Sequence, residues 1–334
     1  MQIPQYLKPG DKIALISPAR FMDLEKLEPF ENWVKKNNWE LVLAPNLGKR
    51  YNQFGGTENE RLADIIWALE NHEVKAVFSA RGGYGTLRLF HDLQKLDFVK
   101  NPKWWVGFSD LTVIHSVLNQ QGLASIHGPM AMQFAQQNQF LIDNNRSLEH
   151  ALTGQIQQIP VGHDLAINKP LTAIIETDSA FHTNTVIANQ DTVKSDSLTS
   201  LNNTNLNPFE ATLWGGNLSM IYTLAAAGKL PSLKGKVLFI EDIDEYLYHI
   251  DRMLRALEIS GLFEGIVGLI VGDMTDMKDH EIPFGWNISE IIHDVLKNYT
   301  FPIIYGVPCG HDKKNFSLKL GMSIKFDGKT LFQF

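Results

Sequence analysis

The chain has 334 residues, 44% of them hydrophobic, 20% charged and 10% aromatic, enough for one large domain or for two that each bury a core. A formal net charge of -7 argues against a nucleic-acid partner, which needs a basic patch or stripe. The single cysteine, Cys309, excludes an intramolecular disulfide and reads as a small buried hydrophobe. The opening MQIPQYLKPGDKIALISPAR lacks a basic leader followed by an apolar region and a cleavage site. No run of about 18 apolar residues occurs, so no membrane partner is expected and the cytoplasm is the expected location.

In chain order, residues 13–17 form a short apolar run ended by Pro18 and predict a buried strand. Residues 24–37 have helical spacing, 39–44 predict a second strand, and 59–70 an amphipathic helix with Leu62, Ile65, Ile66 and Leu69 on one face. Strands at 74–80 and 104–108 alternate with helices at 86–93 and 111–120, the pattern of βαβ units and a parallel sheet. Between residues 182 and 207 the chain is rich in Asn, Thr, Ser and Asp without periodicity, a long polar loop. Helices at 217–227, 244–259 and 288–296 then alternate with strands at 236–241, 266–272 and 303–307. The tail SLKLGMSIKFDGKTLFQF alternates apolar and polar around Asp327-Gly328, a hairpin signal. The expected division is an α/β domain over 1–140, a linker and polar loop over 141–207, and a mixed α/β domain over 208–334.

Four places carry chemistry. Arg81-Gly82-Gly83-Tyr84-Gly85 follows a strand and precedes a helix. Such a turn cradles a phosphate, supplies N–H groups to an oxyanion, or simply turns tightly. It matches neither the dinucleotide fingerprint nor the Walker loop. Gly107-Phe108-Ser109-Asp110 joins a strand to a helix, the setting of a nucleophile elbow, although the second glycine of G-x-S-x-G is missing. Capping of the helix by Ser109 or Asp110 is the plainer reading. Glu241 ends an apolar strand and opens the acidic run EDIDE, at the strand end where α/β sites collect. Some of these acids simply cap the next helix. His311 follows Gly310 in a loop, whereas His115 lies among apolar residues at helical spacing and reads as packing. A serine nucleophile requires a base and a carboxylate to orient it, and Ser109, His311 and Glu241 make up such a set.

The same stretches resemble the LD-carboxypeptidase family of serine peptidases, which includes muramoyltetrapeptide carboxypeptidases and microcin C self-immunity hydrolases. The likeness runs in order through GDKIALISPA, GGTENERLADI, ARGGYGTLRL, GFSDLT, HGPM, WGGNLSM, LFIEDIDEYLYHIDRML and GHDKKN. It implies a triad of Ser109, Glu241 and His311, and an oxyanion hole from the N–H groups of Asp110 and the Gly82-Gly83 turn. It also implies a Rossmann-like N-terminal domain with a parallel sheet, a smaller mixed α/β C-terminal domain, a homodimer, and no cofactor or metal. The implied substrate is a muropeptide, cut between the L-centre of a diamino acid and a terminal D-alanine. Recognition of a free carboxylate suits a bidentate arginine, and Arg81 is the candidate, with a cap or surface ion pair as its plain alternative. Two other readings are an aminoacyl-nucleotide or other acyl-amino hydrolase of the same fold, the former needing an aromatic platform near the triad, and a non-catalytic protein that holds a small anion at the glycine turn. The chain departs from the family at Lys319, where a proline usually precedes the glycine, and in its long 182–207 segment. The first is expected to alter a strand edge and the second to reshape the cleft.

Overall fold

The computed structural model describes residues 1–136, 138–161 and 208–334. Its first sheet has the order β11-β5-β4-β3-β1-β2. Strands β1 (Lys12–Ile16), β2 (Glu40–Leu43), β3 (Val74–Ser79), β4 (Trp104–Gly107) and β5 (Ser125–His127) run parallel, and β11 (Leu318–Leu320) lies antiparallel at the edge. The order 2-1-3-4-5 is a doubly wound arrangement, whose ligands bind at the carboxyl ends of the strands. Burial on both faces explains why β1, β3 and β4 read as continuous apolar runs.

The connecting helices are α1 (Glu28–Lys36), α2 (Glu58–Glu70), α3 (Phe90–Leu93) and α4 (Thr112–Gln120). The helix expected over 24–37 is divided into a 3-10 turn, Leu24–Lys26, and α1. Pro29, at the second position of α1, fits a helix start but has no N–H to donate back to Glu25, so one helix does not run continuously through it. α2 begins with a capping box, Thr57 accepting from the Glu60 N–H at 3.3 Å and Glu60 accepting from the Thr57 N–H at 2.9 Å.

The second sheet has the order β10-β9-β8-β7-β12-β13-β6. Here β7 (Phe209–Asn217), β8 (Lys236–Ile243), β9 (Gly268–Thr275) and β10 (Ile303–Ile304) are parallel. Strands β12 (Ser323–Phe326), β13 (Thr330–Gln333) and β6 (Gln157–Pro160) extend the sheet antiparallel. The expected hairpin joins β12 to β13, with Gly328 at φ 102° and Asp327 accepting from the Lys329 and Thr330 N–H groups. Helices α6 (Leu218–Ala226), α7 (Leu247–Ile259) and α8 (Ile288–Leu296) pack against the parallel strands β7 to β10 of this sheet. The helix expected from 244 starts later, because β8 continues to Ile243 and Asp244 takes a left-handed φ of 66°.

The segment expected as linker, 141–207, opens differently from its expectation. It starts with a 13-residue helix, α5 (Leu141–Thr153), and continues into β6 of the second sheet. The polar stretch 182–207 lies outside the described residues. Each sheet borrows a strand from the other half of the chain, since β6 precedes the second half and β11 belongs to it. Lys319 does sit on edge strand β11, but its side chain is fully buried. Its Nζ donates to the Phe334 carbonyl at 2.9 Å, and burial lowers it to about 8. The two sheets meet where β7 reaches α4. A Cβ on Gly216 would stand 2.4 Å from the Thr112 hydroxyl, and that hydroxyl accepts from the Asn217 N–H at 2.9 Å. No helix among the described residues is long and apolar enough to cross a membrane.

Candidate active site

Strand β4 ends at Gly107, and Ser109 begins a 3-10 turn that leads into α4. Ser109 has φ 63°, in the left-handed region that few non-glycine residues occupy. Such strain persists only where the surroundings impose it, and it clusters at functional sites. It lifts the Ser109 side chain to a half-buried position between buried Phe108 and buried Asp110. Ser109 therefore lies in the turn itself and caps nothing, since the cap position belongs to Phe108 and carries no side-chain bond.

The glycine turn lies against this elbow. A Cβ on Gly82 would stand 3.3 Å from the Ser109 Cβ and 3.2 Å from the Met130 Cε. Gly83 follows with φ 104°, a conformation that suits only glycine here because the Arg20 side chain fills the space beside it. Asp110 fastens the two loops together: its Oδ2 accepts from the Thr86 N–H at 2.9 Å, and its carbonyl accepts from the Thr86 hydroxyl at 2.6 Å. Buried Arg61 holds the far side, donating to the carbonyls of Pro18 at 2.6 Å and Gly85 at 2.9 Å. Burial raises the Asp110 carboxyl, against the pull of the Thr86 bonds and the Arg61 charge. His115 is buried on α4, and its Nε2–H donates to the Gly107 carbonyl at 2.8 Å. Burial lowers that imidazole to about 4, so it is a neutral packing group that pins the end of β4.

The other half of the site comes from the second sheet. Glu241 lies near the carboxyl end of β8 with 0% exposure, and its Oε2 accepts from His311 Nδ1–H at 2.6 Å. His311 keeps 13% of its side chain exposed and packs edge-on against Phe108, with ring centroids 4.8 Å apart. Burial opposes a charge on the His311 ring, but the Glu241 carboxylate and its hydrogen bond, with Asp242 and Asp273 behind, raise it above its ordinary value. Gly310 permits this contact: its φ is 138°, and a Cβ there would press within 3.0 Å of the Glu241 Oε2. Asp242 turns away, accepting from Asn217 Nδ2 at 2.8 Å and from the Ser219 N–H and hydroxyl at 2.9 and 2.8 Å. Burial, then the neighbouring Glu241, pushes Asp242 up to about 6.

The elements thus unite Ser109, Gly82, Gly83 and Asp110 on one side and Glu241 with His311 on the other, joined through Phe108. Among the described residues no hydrogen bond joins the Ser109 hydroxyl to His311 or to any other side chain. Arg81 stands at the same turn, half-buried, and the cap or ion pair that was its plain alternative does not occur among the described residues. A cleft of about 180 Å³ opens beside His311, with Phe108, Gln133, Asn144, Ile243 and Lys313 on its walls. Several supporting residues escaped sequence reasoning. Asn144 on α5 accepts from the Asn315 N–H at 2.9 Å and donates to the Lys313 carbonyl at 2.9 Å, holding the His311 loop. Asn315 in turn accepts from the Gly310 N–H at 3.2 Å. Asp273 on β9 is pushed up to about 7 by burial, then by Asp312 and Glu241. An isolated Asn or Asp at these places carries no sequence signal, because its partners lie far off in the chain.

With this geometry in view, the comparisons are specific. Residues 13–128 match the LD-carboxypeptidase N-terminal domain and residues 210–326 the LD-carboxypeptidase C-terminal domain. A probable murein peptide carboxypeptidase of Bacillus subtilis is 27% identical, over 95% of this chain and 89% of its own. The microcin C7 self-immunity protein of Escherichia coli is 23% identical, over 96% of this chain and 92% of its own. The crystal structure of the muramoyltetrapeptide carboxypeptidase from Oxalobacter formigenes superposes with a TM-score of 0.75 at 26% identity, covering 96% of this chain and 97% of that one. Two family domains in the right order, each carrying one half of the site just described, establish that the chain belongs to the LD-carboxypeptidase family.

Proposed function

We propose that this protein is a serine-type LD-carboxypeptidase that removes the terminal D-alanine from muropeptides, with residues 1–140 carrying the nucleophile and residues 208–334 the acid–base pair. The observation that carries the reading is the buried Glu241–His311 pair, at 2.6 Å, packed through Phe108 against the strained Ser109 elbow. Glu241 holds the Nδ1–H tautomer of His311, so Nε2 is the basic nitrogen. That nitrogen takes the Ser109 proton as Oγ attacks the peptide carbonyl. The tetrahedral oxyanion accepts hydrogen bonds from the N–H groups of Asp110 and of the Gly82-Gly83 turn, where one such donor is worth about 3 kcal/mol of barrier. His311 then protonates the departing amine of D-alanine, and water repeats the sequence on the acyl-enzyme to release the shortened peptide. Arg81 receives the substrate's terminal carboxylate. No cofactor takes part in these steps, and the enzyme acts in the cytoplasm as a homodimer.

One observation favours a second reading, an aminoacyl-nucleotide hydrolase with the same machinery. Tyr246, which caps α7, and Tyr248, in its first turn, stack on His280 at 4.5 and 5.3 Å between centroids, a few residues after cleft residue Ile243. Such a platform suits a nucleobase. Release of D-alanine from a muramoyl tetrapeptide, measured for the wild type and for Ser109→Ala, tests the first reading. Release by the wild type alone supports it. Labelling of Ser109 by a serine-reactive probe without D-alanine release moves the substrate to the acyl nucleotide.

A further inference from the structure

The doubly wound sheet reverses its strand order between β1 and β3, and the crevice outside the carboxyl ends at such a reversal is where open α/β sheets hold ligands. Two arginines stand there: Arg20 in the loop leaving β1 and Arg81 in the loop leaving β3. The loops are stitched together, with the Arg20 N–H donating to the Gly82 carbonyl at 3.4 Å and the Ala80 N–H to the Ile16 carbonyl at 2.8 Å. Arg20 lies across Gly83 so closely that a Cβ on that glycine would stand 2.5 Å from the Arg20 Cδ. Its Nε donates to Gln53 Oε1 at 3.1 Å, which orients the guanidinium.

Neither arginine forms an ion pair among the described residues. The nearby carboxylate of Asp23 is shared with Lys26 at 3.9 Å. Burial and the Arg20 charge both work against the Arg81 cation, with Asp23 countering them. Two half-buried guanidinium groups without a full complement of acid are stabilised by an incoming anion. Strand β3 lies between β4, which ends at Gly107 just before the elbow, and β1, so the loops bearing Arg81 and Arg20 leave strands about 5 and about 10 Å from the one that leads to Ser109. The carboxylate carbon one residue beyond a scissile carbonyl lies under about 4 Å from it, so long arginine side chains anchored one and two strands away reach it from that side.

We propose that Arg20 and Arg81 form a two-armed clamp for the free carboxylate of the departing residue, with Arg20 as the arm that rejects peptides amidated or extended beyond it. The proposal rests on the carboxypeptidase reading for its choice of ligand. Its test is calorimetric binding of an L-lysyl-D-alanine peptide, and of the same peptide as its C-terminal amide, to the full-length S109A chain. S109A is expected to bind the acid at least about tenfold tighter than the amide. In S109A/R20Q that preference falls below about threefold while amide binding is unchanged. An acid preference that survives R20Q overturns the clamp. So does the absence of any acid preference in S109A, the absence of binding, or an equal loss of acid and amide binding in the double variant. Turnover by the wild type separates the two ideas: if the expected preferences hold and no D-alanine is released, the clamp stands and the hydrolytic reading falls.

Discussion

The elbow after β4, with the β3 glycine turn packed against it, and the segments that follow β8 and β10 meet at the site but are built from different materials. On the first sheet, backbone conformation does the positioning. Ser109 is held at φ 63° and Gly83 at φ 104°, and a side chain at Gly82 would crowd Ser109 and Met130. On the second sheet, buried side chains do it: Glu241 orients His311, and Asp242 and Asp273 add negative charge behind them. The difference has a consequence for pH. Backbone N–H groups do not titrate, so the elbow and glycine turn present the same donors at any pH at which the protein is folded. The acid–base side responds to every charge near it.

The largest expected effect falls on Ser109 and separates the halves cleanly. Ser109→Ala lowers kcat for D-alanine release by at least about 10⁴-fold, as removal of a triad nucleophile does. Ser109→Gly is equally inactive but unfolds at higher denaturant than the alanine variant, by about 1 kcal/mol, because glycine adopts φ 63° without strain. Equal stability of the two variants in urea would show that the elbow is not strained.

Next comes Glu241→Gln, expected to lower kcat by about 10⁴-fold through loss of the correct tautomer. It also moves the pH profile. His311 must be neutral to act as base, and Glu241 raises its pKa, so the wild-type acid limb of kcat/KM lies above the ordinary histidine value. Removing the carboxylate lowers the His311 pKa, and the residual activity of the variant persists to lower pH. A limb that stays in place assigns the profile to another group. Asp273→Asn moves the limb in the same direction by less, with kcat at the plateau nearly unchanged.

On the backbone side, Gly82→Ala inserts a methyl group 3.3 Å from the Ser109 Cβ and 3.2 Å from Met130. It is expected to lower kcat by about 10- to 100-fold by displacing an oxyanion donor, with no shift of the pH profile. A displaced acid limb in this variant would break the division between the two halves.

The smallest effect is on stability. His115 has a folded pKa of about 4, below its ordinary value of 6.5, so the unfolded chain binds the proton more readily in between. Its contribution is complete above about pH 6.5 and is lost as the pH falls towards 4, by up to about 3 kcal/mol. Buried His127, held far below its ordinary value mainly by burial, adds to the loss in the same direction. Urea midpoints at pH 7 and pH 4.5 measure the change, and His115→Gln reduces its slope.

Much of the architecture was readable from residue order. The apolar runs of β1, β3, β4 and β8 and the helical periods of α2, α4 and α8 predicted elements within a few residues of those observed. Asn217 lies within the helix that its spacing predicts over 217–227, but in the structure it caps that helix, accepting from the Met220 N–H at 3.2 Å. The three-residue strands β5 and β11 carry too few residues to show a period, and their pairing is decided by neighbours. α5 was hidden by its polar sequence LIDNNRSLEHALT, which buries only a narrow face.

The candidate site divides along the same line. By itself the sequence determined the kinds of groups and their local settings: a serine at a strand-to-helix turn, glycines at a βα turn, a glutamate ending a strand and a histidine after a glycine. Each is a property of a few consecutive residues. Only the tertiary structure decided that Glu241 and His311 meet at 2.6 Å, that His311 packs on Phe108, and that Arg20 lies over Gly83 beside Arg81. Those contacts join residues tens to hundreds of positions apart, and the order of strands in two interlocked sheets, which no local pattern encodes, brings them together.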